Sequence, residues 1–266
     1  MPTVTSGGVD IAYTDGRGSG LPVLLLHAWP LHSAMWGPQI GALEGRFRFI
    51  AMDFRGFGAS GAPTDRSAYS MDVLAADAES VLDDAGVDAA VVCGLSMGGY
   101  VSFALLRRNP GRVTGLVLAD TRAEADAPER IAQRSAQQAQ IESEGIEGLV
   151  DTLVSGPLLS PATRERKPDV VTRVRKLAEN PAAGYIGGLE ALKTRPDSTP
   201  QLTAISIPTL VVVGEDDSLA PVKIARTMHE HIGGSEMVVV PQAGHLSNLE
   251  TPDVFNGALA RFLGGL

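Results

Sequence analysis

Short apolar runs alternate with helix-patterned segments along most of this chain, and that alternation constrains its fold more than any other feature. Pro22–His27 (PVLLLH) is a continuous apolar run, the pattern of a strand covered on both faces. Val9–Tyr13, Phe47–Asp53, Ala89–Gly94, Val113–Asp120, Pro208–Gly214 and Ser235–Val240 read as further strands. Between them, Met71–Ala85 sets Val73, Leu74, Asp77, Val81 and Leu82 at helical spacing and stops at Gly86. Met97–Asn109, Pro221–Ile232 and Pro252–Leu263 read as helices in the same way. Strand and helix in turn predict an α/β class, with a mostly parallel central sheet and helices on both faces. From Arg122 to about Leu192 the strand signal lapses, and proline-broken segments rich in Ala, Gln, Glu and Arg predict several short helices. Two units are therefore expected: a core of residues 1–121 and 194–266, and a helical cap of residues 122–193 over the C-terminal edge of the sheet. That edge is where open α/β sheets bind ligands.

Composition narrows the function classes. The 266 residues carry 22 Lys and Arg against 31 Asp and Glu, a net charge of −9, with no concentrated basic stretch. Nucleic acid and anionic membranes are not the expected partners. No apolar run approaches the roughly 18 residues of a membrane span. The opening MPTVTSGGVD has neither the basic nor the apolar region of a secretory signal, so a cytoplasmic location is expected. The single cysteine, Cys93, excludes an intrachain disulfide and a cysteine-based metal site, and its place inside an apolar strand reads as core.

The chemistry-bearing signal is Gly94-Leu95-Ser96-Met97-Gly98. It fits G-x-S-x-G, with an apolar strand running into it and a helix beginning directly after it. Such a turn strains the middle residue and projects its hydroxyl above the sheet, beside free N–H donors of the helix. A serine nucleophile needs a base. His245, in PQAGHLSNLE, follows the last strand where the chain crosses the same sheet edge. His229 and His231 fall on an amphipathic helix, His27 ends a strand and suits a structural hydrogen bond, and His32 reads as loop. The base needs an orienting carboxylate. Asp217, in VVVGEDDSLAP, follows a buried strand directly, while Asp216 should point elsewhere and Asp120, ending the strand after the nucleophile helix, is the competing acid. Two backbone donors are expected to hold the oxyanion: the N–H of Met97 and that of Trp29 in the loop after PVLLLH.

Gly56–Gly61 (GFGASG) also matches G-x-G-x-x-G, but Ala62-Pro63-Thr64 follows instead of a helix, so nucleotide binding is not expected. Asp53 and Arg55 are expected to stabilise this turn. The pairs Asp83-Asp84 and Glu215-Asp216 lack the spacing of a calcium loop.

Over essentially its whole length the chain resembles the α/β-hydrolase superfamily. The segments HAWP, DFRGFGASG, GLSMGG, GEDDSLAP and AGH carry the resemblance, in that order. It is similar to the small capped serine esterases, a branch that also holds cofactor-free haloperoxidase-like perhydrolases and enol-lactonases. The resemblance implies an α/β-hydrolase fold with a helical cap inserted after the sixth strand, and no metal or organic cofactor. Ala28 stands where relatives usually carry glycine, which bears on the space beside the oxyanion.

The expected activity is cleavage of carboxylic esters with small to medium acyl chains through an acyl-enzyme on Ser96. A lactonase, an enol-lactonase or a carbon–carbon bond hydrolase would use the same Ser96, Asp217 and His245, with perhydrolysis as a side activity. A non-catalytic ligand-binding protein on this fold is the rival from another class. The substrate pocket is expected to be largely apolar, built from Leu149, Val150, Leu153, Leu158, Leu159, Tyr185 and Ile186 with Trp29 as a wall. Arg122 is either a solvated cap residue or the partner of a substrate carboxylate. The expected partner is a small-molecule ester or lactone, and nothing in the pattern specifies an oligomer.

Overall fold

A computed structural model describes residues 1–266. Eight strands form one sheet: β1 (Thr3–Ser6), β2 (Val9–Asp15), β3 (Pro22–Leu26), β4 (Arg48–Met52), β5 (Ala90–Leu95), β6 (Val113–Ala119), β7 (Thr209–Gly214) and β8 (Glu236–Val240). They lie in the order β1-β2-β4-β3-β5-β6-β7-β8, with β1/β2 and β2/β4 antiparallel and the other pairs parallel. The polar strand β1 was not visible in the hydrophobic pattern, and its pairing with β2 forms one edge of the sheet. The apolar runs became the central strands: β5 and β7 are buried at every residue.

Eleven helices follow in chain order: α1 (Gly37–Ala42), α2 (Met71–Asp84), α3 (Met97–Arg108), α4 (Pro128–Glu144), α5 (Glu147–Val154), α6 (Pro161–Arg166), α7 (Pro168–Leu177), α8 (Ala182–Lys193), α9 (Val222–His231), α10 (Ser247–Glu250) and α11 (Pro252–Gly264). None is long and apolar enough to cross a membrane. Helix α2 starts where the Ser70 hydroxyl accepts the Val73 N–H at 3.2 Å, and it buries Leu74, Ala78, Val81 and Leu82. Its Asp77 is also fully buried, and Arg55 satisfies it with two bonds of 2.6 and 2.7 Å. The Arg55 side chain thus fastens the segment after β4 to α2.

Helices α4 to α8 all fall between β6 and β7, as a helical insertion after the sixth strand. Two contacts seat this insertion on the segment after β4. Asn180 accepts the Gly58 N–H at 2.8 Å and donates to the Pro30 carbonyl at 2.9 Å. Gly184 of α8 meets Gly56 backbone to backbone, so closely that a Cβ on either would overlap the other. The GFGASG segment is therefore a turn under the insertion. Asp53 holds it by accepting the N–H groups of Ala59 and Ser33, at 2.9 and 2.8 Å.

Candidate active site

Strand β5 turns into α3 at Ser96, whose backbone sits at φ 54°, ψ −110°. A non-glycine residue there stores about 1–3 kcal/mol of strain. Hydrogen bonds on both sides hold it: the Ser96 N–H donates to Ala119 at 2.9 Å, and the Thr121 hydroxyl donates to the Ser96 carbonyl at 2.8 Å. The turn closes only because its flanks are bare. A Cβ on Gly94 would overlap the Gly98 carbonyl, and one on Gly98 would overlap the Leu26 carbonyl of β3.

His245 lies in the loop after β8, and Asp217 in the loop after β7. The Ser96 hydroxyl donates to His245 Nε2 at 2.8 Å, and His245 Nδ1–H donates to Asp217 Oδ2 at 2.9 Å. The carboxylate only accepts, so it fixes the proton on Nδ1 and leaves the Nε2 lone pair facing the serine. Asp217 Oδ1 accepts the N–H groups of Leu219 and Ala220 at 2.8 and 3.0 Å. Burial works against ionising Asp217, but the charge and hydrogen bond of His245 and these two amides hold its carboxyl below the usual range. Burial likewise opposes protonating His245, and the charge and hydrogen bond of Asp217 outweigh it, so the imidazole ends above its ordinary value.

The competing acids lie elsewhere. Asp216 is exposed. Asp120 is buried, but its carboxylate accepts the N–H of Gly214 at 2.8 Å and both the N–H and hydroxyl of Ser247. Burial and then the Asp217 charge push its carboxyl well above the usual range. Asp120 ties the ends of β6 and β7 to α10 and makes no bond to the imidazole.

Glu250, at the end of α10, is 1% exposed and grips the His245 loop from both sides. Its carboxylate accepts the N–H of Gly244 at 2.8 Å, that of Leu246 at 3.3 Å, and that of Ser160 in the insertion at 2.8 Å. The sequence reading did not single it out, because no local pattern reveals a partner ninety residues away.

The amides of Trp29 and Met97 donate to nothing within the chain. The Trp29 loop is braced by His27, whose Nδ1–H donates to the Ala28 carbonyl at 3.0 Å while Nε2 accepts the Phe54 N–H at 2.9 Å. Burial pushes the His27 pKa down to about 4, so the ring stays neutral for this structural task. Cys93 is buried and burial raises its thiol pKa. His229 bonds to Ser235 and His231 to the Thr227 carbonyl, both away from Ser96. His32 precedes a short 3-10 turn and does not line the cavity described next.

A cavity of about 150 Å³ opens over Ser96 and His245, lined also by Trp29, Leu153, Leu158 and Leu219. Arg122 lines it and donates to the Leu219 carbonyl. Two expectations need correcting. Tyr185 does not line the cavity: its ring is fully buried edge-on to Trp29, with centroids 5.7 Å apart, and its hydroxyl is used by the Ala178 carbonyl at 2.6 Å. Nor do the expected apolar residues alone build the lining. Leu149, Val150, Leu159 and Ile186 are absent from it and pack within the fold, whereas Arg130, Arg134 and Arg195 are present with Asp126. The cause is amphipathic packing, since apolar faces are consumed where elements meet and polar faces remain for the opening. Arg130 and Arg134 are four apart on α4, a same-face spacing readable in the sequence, whereas Arg195 gave no local signal.

Comparison with known proteins bears on the fold and the chemistry. A family model for the alpha/beta hydrolase fold matches residues 22–252. The chain is 31% identical to 3-oxoadipate enol-lactonase 2 of Acinetobacter baylyi, covering 97% of this chain and 94% of that protein. It is 30% identical to a non-heme haloperoxidase of Rhodococcus erythropolis, covering 99% of each. Among solved structures, a thermophilic esterase from Thermogutta terrifontis with malate bound superposes with a TM-score of 0.93 at 35% identity, covering 99% of this chain and 96% of that one.

Proposed function

Because the chain belongs to the α/β-hydrolase fold family, we propose that it is a serine hydrolase cleaving carboxylic esters of small to medium acyl chain. The observation that carries this reading is the unbroken hydrogen-bonded line from Asp217 through His245 to Ser96. As Ser96 Oγ attacks the ester carbonyl, His245 Nε2 takes its proton, and the carbonyl oxygen becomes an oxyanion. The free amides of Trp29 and Met97 receive that charge, and losing one such donor costs about 3 kcal/mol in the transition state. His245 then gives the proton to the leaving alcohol, which departs and leaves an acyl-Ser96. A water, deprotonated by the same imidazole, attacks the acyl carbon, and Ser96 recovers its proton as the carboxylic acid leaves. Asp217 stays ionised throughout and stabilises the imidazolium.

In this reading, residues 122–193 act as a cap over a core of residues 1–121 and 194–266, and Trp29, Leu158 and Arg122 contact the substrate. Tyr185 acts through Trp29, as its rigid backing. Lactone hydrolysis is the second reading, supported by the likeness to the enol-lactonase. It needs the same steps with the leaving alcohol tethered to the acyl group.

The test is turnover of p-nitrophenyl acetate and butyrate by the native chain and by S96A, with fluorophosphonate labelling of both. Turnover and labelling by the native chain, both abolished in S96A, are expected. Near-normal turnover by the variant would remove the proposal, and an unlabelled native serine would favour a binding protein.

A further inference from the structure

The cavity above Ser96 is cationic in a chain whose net charge is −9. Four guanidiniums line it, those of Arg122, Arg130, Arg134 and Arg195, against the single carboxylate of Asp126. That carboxylate is already engaged on both oxygens, by Arg134 and by Arg195, the latter at 2.7 Å. Arg195 is held further by the carbonyls of Leu192 and Glu124 and lies 4.3 Å from the Tyr100 ring centroid. Arg134 and Arg195 thus share one carboxylate, which offsets one of their two charges and fixes both guanidiniums in the wall.

Arg122 and Arg130 have no such partner. Arg122 spends one N–H on the Leu219 carbonyl, and Arg130 spends one on the Gln133 side chain at 3.1 Å. Neither forms an ion pair. Every other arginine without a carboxylate partner is exposed, whereas these two are part-buried. The chain has a surplus of carboxylates and leaves both unpaired at the same opening. Arg130 is the more isolated in charge: burial disfavours its cationic form, and Arg134 and Arg122 repel it more than Asp126 compensates. An arriving anion relieves that repulsion, and a planar carboxylate matches the guanidinium fork.

We propose that this cavity selects substrates whose acyl arm ends in a free carboxylate, such as monoesters of short dicarboxylic acids or carboxylated lactones, and that Arg130 receives this carboxylate with Arg122 beside it. The inference rests on Ser96 as the nucleophile. It adds a specificity that an apolar acyl pocket would lack. Tail pairing fixes the acyl arm at its far end while the ester carbonyl lies at Ser96, so recognition is spent on orientation. The same positive field draws the anion towards a negatively charged protein.

The measurement is kcat/KM for monomethyl glutarate against methyl valerate, followed by pH-stat, at low and high ionic strength. The two substrates differ in the terminal carboxylate. A preference of about tenfold or more for the anion is expected, the range of a charge-assisted hydrogen bond, and it should shrink with salt. In R130Q the anion-to-neutral ratio should fall by about tenfold, while R226Q, on the exposed face of α9, should keep the native ratio. A native ratio at or below unity, or an unchanged ratio in R130Q, overturns the proposal. If S96A is inactive on both esters and the ratio is flat, the anion pocket fails and the serine hydrolase reading stands. If hydrolysis persists in S96A, the hydrolase reading fails and glutarate binding by calorimetry decides the pocket. Binding weakened about tenfold by R130Q supports it, and no binding to the native chain overturns it.

Discussion

Replacing Glu250 by glutamine tests how the imidazole is held. The buried carboxylate accepts two amides at 2.8 Å, from Gly244 and Ser160, and a third, from Leu246, at 3.3 Å. Each short bond to a charged acceptor contributes about 1.5–3 kcal/mol. Glutamine keeps one acceptor oxygen and turns an NH₂ towards an amide that needs an acceptor. One short bond is lost and two donors face each other, so the expected loss is about 2–4 kcal/mol. That is below the roughly 5–15 kcal/mol that keeps a domain folded, so E250Q should fold. For a chain of this length the loss lowers Tm by about 4–8 °C. Gly244 and Leu246 flank His245 and share Oε1, which glutamine can keep for them, so E250A is the variant that frees both and misplaces the ring, and a shift of about 1 Å costs on the order of 100-fold in rate. Calorimetry and ester turnover measure the two effects separately. A Tm and a kcat both equal to the native values would refute the whole argument. A lowered Tm with unchanged kcat in E250A would refute the claim that this carboxylate positions the base.

The pH profile and the elbow give further expectations. Because His245 titrates above its ordinary value of 6.5 and must be neutral to accept the serine proton, kcat/KM should rise with pH through that raised value. D217N should move this limb down and cut kcat by about 10,000-fold, whereas D120N should move it down less, because the charge and hydrogen bond of Asp217 raise the imidazole more than the Asp120 charge does; equal effects of the two would contradict the roles assigned here. For folding, the raised imidazole contributes stability that is fully present below 6.5 and is lost as pH rises through the raised value. The lowered Asp217 contributes stability present above 3.8 and lost as pH falls through its lowered value, so the pair helps most between those two ordinary values. G98A should cost about 3 kcal/mol or more in urea unfolding, since its Cβ meets the rigid Leu26 carbonyl, and a loss under about 1 kcal/mol would contradict the elbow packing.

Much of this was readable from local chemistry. The runs that became β3, β5, β6 and β7 announced buried parallel strands because both faces had to be apolar. Gly94 and Gly98 announced the turn because no side chain fits there. Ser96, Asp217 and His245 could be singled out because each lies within a few residues of a strand's end, and parallel strands bring such ends to one edge. What stayed hidden depends on how the insertion packs. Leu149, Leu159 and Tyr185 looked like pocket residues, but packing between helices and core consumes such faces first, and only Leu153 and Leu158 of the expected leucines reach the cavity. Of the cavity's arginines the sequence pointed only to Arg122, and the tertiary fold brings Arg130, Arg134 and Arg195 to the same opening. Glu250 and Ser160, far apart in the chain, carried no signal of their pairing.

The bare contact of Gly56 with Gly184 means that the height of the insertion above the Ser96 cavity rests on two missing methyl groups. Any side chain gained at either spot must jack that insertion upward, enlarging what can enter without altering a single wall residue. Substrate breadth in such a molecule can therefore drift through a spacer, while the reacting machinery and its charges stay as they are.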